Sequence, residues 1–141
     1  MAGETIQLST AGPYSPQYTR NVAAAAAEAV RVLNHATLNN RDEALAYPGD
    51  AESVIRSMAA VAQRLPQLLD QIQSWLAGEL QAGRLQAAYG PHAGDPAAAV
   101  AATGGRLLTA AGFASQLSDA LTAAAEAACK LCPAQETEAG E

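Results

Sequence analysis

Cys129 and Cys132 are the residues whose type and spacing come nearest to a chemical motif. A Cys-x-x-Cys pair serves either as a redox disulfide or as half of a zinc site. Redox chemistry of this kind uses a cysteine at a helix N-terminus, where the helix dipole stabilises the thiolate. Here the pair falls at the C-terminal end of an expected helix, where the dipole opposes it and Lys130 offsets that only in part. A zinc site lacks two of its four ligands, which a symmetric second copy could supply. The reading adopted is ordinary helix-end thiols, with an intersubunit zinc or disulfide at Cys129 and Cys132 as the sharper alternative.

His35 and His92 are the only histidines. A carboxylate-bridged metal site in a bundle uses Glu-x-x-His pairs, and no glutamate here precedes a histidine at that spacing. His35 follows Glu28 by one heptad near a helix end, and His92 lies in a Gly/Pro loop. Both read as surface or helix-end residues. Gly104-Gly105 sits inside a helical pattern and follows no strand, so it is not a phosphate loop. No nucleophile has a histidine placed as in a hydrolase triad. The chain is therefore expected to be non-enzymatic, with no catalytic residue, no cofactor and no resident metal.

The elements that carry these residues follow from composition. Alanine supplies 36 of 141 residues, against one Phe, one Trp and four Tyr. Alanine favours helix but buries little area, so stability must come from long, closely packed helices. Strand formers are thin, and the expected fold is all-α. The formal charge is −6, and Glu136, Glu138 and Glu141 contribute half of it from a polar tail. An acidic body does not attract phosphate backbones, so no nucleic-acid partner is expected. The N-terminus has no signal-like pattern, and Arg106, Asp119 and Glu126 interrupt the most apolar helix. The expectation is a cytoplasmic protein without a membrane partner, its cysteines reduced.

Three long helices emerge, four if the second breaks at Pro66. Ser15-Pro16 is a cap followed by a first-turn proline, opening a helix to about Leu38 whose apolar face runs Val22, Ala26, Val30, Leu33 and Thr37. Residues 41–50 form a connector with a possible turn at 42–46, and Asp50 is placed to cap the second helix. That helix is expected over 51–89, with Val54, Met58, Val61, Leu65, Leu68, Ile72 and Trp75 as its heptad seam. The seam keeps phase through Pro66, which in a helix interior costs about 3 kcal/mol. Asp95-Pro96 repeats the cap signature and opens a last helix to about Leu131. Its seam is Val100, Thr103, Leu107, Ala110, Ala114, Leu117, Leu121, Ala124, Ala128 and Leu131, rich in small residues that permit close approach. Matched lengths and a short loop suggest that the last two helices form an antiparallel hairpin, the first packing beside it. The organisation expected is an irregular arm over 1–15, a bundle over 16–132 and a disordered acidic tail over 133–141.

The Ala23–Ala27 run, Arg31-Val32-Leu33-Asn34-His35 and Leu65-Pro66-Gln67-Leu68-Leu69 give the chain its style. In these it resembles the short, alanine-rich helical proteins of unknown function common in actinobacteria, a resemblance that implies little about activity. The helical-hairpin substrates of type VII secretion carry Trp-x-Gly at the turn. Here Trp75-Leu76-Ala77-Gly78 lies inside a helical pattern, and no tyrosine has an acidic residue four positions later.

These readings lead to an interaction or assembly module, self-associating or bound to another helical protein. Leu107, Ala114, Leu117, Leu121 and Trp75 are its candidate contact residues. The rival is a small-molecule-binding bundle with an apolar pocket near Trp75 and the Pro66 kink.

Overall fold

The computed structural model describes residues 5–134, and these are all-helical apart from turns and irregular segments. The helices are α1 (Pro16–Asn39), α2 (Arg41–Ala44), α3 (Pro48–Gln81) and α4 (Pro96–Ala128). Backbone contacts divide the chain into two compact units, Met1–Ala46 and Tyr47–Glu141. The acidic residues expected in a disordered tail lie beyond Ala134, outside the described residues.

In the first unit the expected cap is present. The Ser15 hydroxyl accepts the Tyr18 amide at 3.0 Å, and Pro16 occupies the first turn, where its missing N–H costs nothing. The arm before it is irregular and tied to α1 through one side chain. The Tyr18 hydroxyl donates to the Gln7 carbonyl at 2.9 Å and accepts the Ser9 amide at 3.1 Å. The apolar face of α1 is only partly as expected. Val22, Leu33 and Thr37 are half-buried, whereas Ala26 and Val30 are exposed and Ala25 and Ala36 take the inner side.

In the second unit α3 starts earlier than expected. Tyr47 is the N-cap and Pro48 the first-turn proline, so Asp50 is three residues into the helix and not its cap. Its carboxylate reaches back to accept the Tyr47 amide at 2.8 Å, the reciprocal half of a capping box. The helix then runs unbroken through Pro66. It stops at Gln81, well before Tyr89, because Gly83 adopts φ +72°. The Gly83 amide donates to the Leu80 carbonyl and the Arg84 amide to the Glu79 carbonyl, the paired bonds of a Schellman motif. Arg84 also grips the Glu79 carboxylate with two hydrogen bonds, at 2.7 and 2.8 Å, which holds that carboxyl below its usual range. The connector is therefore 82–95 and irregular, not a short loop. Asp95 accepts the Ala98 amide at 3.0 Å and opens α4 as expected.

Helices α3 and α4 have 34 and 33 residues, about 50 Å each. They form an antiparallel hairpin. The Ser118 hydroxyl donates to the Ala59 carbonyl at 3.3 Å, and the Gln73 side chain lies on Gly104. Fourteen residues forward on α3 thus correspond to fourteen backward on α4, which fixes the register. The core of this unit is made of small side chains. Among the described residues, Ala59, Ala62, Ala114 and Ala125 are the buried ones, and no large side chain is fully buried.

The seams meet differently from the sequence expectation. On α4 the inner positions are Val100, Gly104, Leu107, Ala111, Ala114, Ser118, Leu121, Ala125 and Ala128. Every second expected position holds; Thr103, Ala110, Leu117 and Ala124 each yield to the following residue. On α3 the inner row is Ile55, Ala59, Ala62, Pro66, Leu69, Gln73 and Leu76, and the expected seam is rotated outward. Met58 and Leu65 lie at its edge, while Val61, Leu68, Ile72 and Trp75 are exposed. The physical reason is helix separation. Alanines at 59 and 62 facing Ala114 and Ser118 let the backbones approach closely, and a Val/Leu seam would hold them apart.

Candidate interaction face

Helical phase divides the hairpin's surface into two flanks. At about 100° per residue, a side chain rotated by a given angle from the inner row falls on the same flank of both helices when they run antiparallel. One flank is polar. Arg56, Ala59, Ala60 and Gln63 line a crevice with Ser118, Asp119 and Thr122. Beside it the Arg56 guanidinium is held charged, first by its hydrogen bond to Glu52 and then by the charge of that carboxylate. Glu52, Arg56, Asp70, Asp119 and Glu126 all belong to this side by phase.

The opposite flank is apolar as far as Trp75, beyond which it meets the Glu79–Arg84 pair one heptad after Ile72. On α3 it carries the exposed heptad row Val61, Leu68, Ile72 and Trp75, with Val54, Met58 and Leu65 at its inner margin. On α4 it carries Leu117 and Phe113 amid Thr103, Ala110 and Ala124. Arg106 is the one charged α4 residue on that side. Isolated exposed apolar residues are ordinary, whereas contiguous apolar patches occur at protein, membrane and ligand contacts, which makes this row the candidate contact face.

The five contact residues named from the sequence separate accordingly. Ala114 is buried, and Leu107 and Leu121 are half-buried, on the row that meets α3. Leu117 and Trp75 face outward, with 51 % and 61 % of their surface exposed. Trp75 thus lies off the row that meets α4 and is the largest apolar group of the open face. Sequence reading missed Phe113, which stands off the expected α4 seam but is 65 % exposed beside Leu117. Its signal was present: a lone phenylalanine in an alanine-rich helix, four residues before Leu117.

A separate crevice of about 270 Å³ opens on the polar side between Pro66, Leu69, Asp70 and Gln73 of α3 and Gly104, Leu107, Leu108 and Ala111 of α4. Within it Gln73 Oε1 is buried without a hydrogen-bond partner. Trp75 does not line this crevice, so the pocket expected near Pro66 and Trp75 together has Pro66 alone.

Cys129 and Cys132 are free thiols on the surface at the end of α4, where Cys129 Sγ donates to the Glu126 carbonyl at 3.0 Å. Among the described residues no group of three or more His, Cys, Asp or Glu side chains is placed to hold a metal ion. His35 Nδ1 shares a 3.0 Å hydrogen bond with the Asn39 side chain in α1, and His92 is half-buried in the turn before α4. By length and composition α4 is long and apolar enough to cross a bilayer. This departs from the expectation of no span: Arg106, Asp119 and Glu126 interrupt the helix, but their spacing leaves an 18-residue window with no more than two charges.

No protein-family model, curated protein or solved structure matches this chain.

Proposed function

We propose that the chain is a non-enzymatic assembly module that self-associates through the apolar flank of the α3–α4 hairpin. The observation that carries this reading is the row Val61, Leu68, Ile72 and Trp75, left exposed while the hairpin's own core is four alanines. Four buried alanines contribute little burial energy against the chain entropy of two helices of about 50 Å, so covering the exposed row would add substantially to stability. On this reading the antiparallel bundle is completed by helices docked on the open flank.

Light scattering at micromolar concentration tests it. The expected species exceeds the 14.4 kDa chain, and Leu68→Glu reduces it to the single chain. Leu108→Glu, on the polar flank, leaves it unchanged. A single-chain mass for the unaltered protein overturns the reading.

One observation favours a second reading, a small-molecule site in the Pro66–Gly104 crevice. The unpaired Gln73 Oε1 asks for a hydrogen-bond donor, and the Asp70 carboxylate at the rim suits an amine. A thermal-shift screen with small amines and alcohols tests this. Ala111→Phe, which fills the crevice, must abolish any shift; a shift that survives it removes the site.

A further inference from the structure

We infer that the partner on the open flank is a second copy, related by a two-fold axis parallel to the helices, so that the large row of α3 lies on the small row of the partner's α4. The inference rests on the assembly reading above and specifies what that reading leaves open, namely which helix meets which.

The two halves of the flank differ in size. The α3 half presents Val61, Leu68, Ile72 and Trp75, and the α4 half, which carries Phe113 and Leu117 near the level of Val61, is lowered by Thr103 and Ala110 opposite Leu68, Ile72 and Trp75. Pairing large with large separates the helices, and pairing small with small leaves voids. A two-fold axis along the hairpin sets large on small twice, with every neighbouring pair of helices antiparallel. A surface with one raised and one lowered half fits its own copy in this way.

Area supports the same occupant. Val61, Leu68, Ile72, Trp75, Phe113 and Leu117 are 41–65 % exposed. They offer on the order of 600 Å² per copy, against about 800 Å² a side in a standard stable interface, before the alanines of α4 are added. Charge agrees too. In the register set by Ala59 with Ser118, Arg106 lies about one turn from the level of Trp75. The two-fold arrangement therefore puts each guanidinium within side-chain reach of the partner's indole for a cation–π contact.

In this arrangement Leu68 of one copy stands level with Ala110 of the other. The test is disulfide trapping in the full chain with Cys129 and Cys132 replaced by serine. Leu68→Cys and Ala110→Cys proteins are oxidised in air, separately and mixed. The expected result is a linked dimer of the mixed mass in the mixture and its loss in either protein alone. Linkage of Leu68→Cys to itself as strongly as in the mixture overturns the arrangement, because α3 then meets α3. So does an unlinked mixture whose mass by light scattering is that of a dimer. A single-chain mass throughout instead removes the assembly reading itself.

Discussion

At the scale of single residues, the contact between Gln73 and Gly104 is the most informative. A Cβ at position 104 would press on Gln73 Nε2 and lie 2.7 Å from Cδ and 2.8 Å from Oε1. Glycine in a helix interior costs about 1 kcal/mol relative to alanine, so the sequence keeps a poor helix former where the amide crosses. All three atoms belong to the far end of a flexible side chain, which can swing toward solvent and take its unpaired acceptor with it. Gly104→Ala is therefore expected to stabilise the chain by about 0.5–1 kcal/mol in denaturant unfolding. The Gln73→Ala background should show nearly the same gain, since little coupling remains once the amide is free to move. A loss of stability instead means that the amide is held in place, as an occupant of the crevice would hold it.

At the scale of elements, Pro66 is the test of what the hairpin tolerates. It lies in the middle of a continuous α3, has no N–H for the Ala62 carbonyl, and sits against α4 at the mouth of the crevice. Ala62 is 2 % exposed, so little water reaches that carbonyl. Pro66→Ala restores the helical hydrogen bond and removes the ring clash, against the packing that the ring provides. The expected net gain is about 1–2 kcal/mol in denaturant unfolding. Destabilisation would show that ring packing outweighs the backbone term. The helix boundaries were legible where a cap and a proline coincide, at Ser15-Pro16 and Asp95-Pro96. They were missed where the signal is backbone conformation, as at Gly83, whose positive φ ends α3 in a stretch of good helix formers. The seams were misread for a related reason. Periodicity is dominated by large side chains, so Val61, Leu68 and Trp75 marked the strongest stripe. The close-packed row instead includes Ala59, Ala62, Ala114 and Gly104, whose value is their lack of volume. The candidate site was thus visible in the sequence as a stripe, but assigned to the wrong side of its helix.

At the scale of the whole molecule, a core of alanines makes folding and association hard to separate. When a chain buries little by itself, the area that stabilises it is gained in the complex, and stability depends on concentration. Trp75 reports this directly, being the sole tryptophan and 61 % exposed on the open flank. In a dimer its indole passes from water to the small row of the partner's α4. Its emission should therefore be blue-shifted at high micromolar concentration and move red on dilution, along the same curve as the fall in mass by light scattering. Leu68→Glu should give the red emission at every concentration, with helical circular dichroism retained if the hairpin persists alone. Emission that stays red and independent of dilution in the unaltered protein would place Trp75 outside any self-contact. That outcome contradicts the assembly reading at the one position where the apolar flank can be watched without altering it.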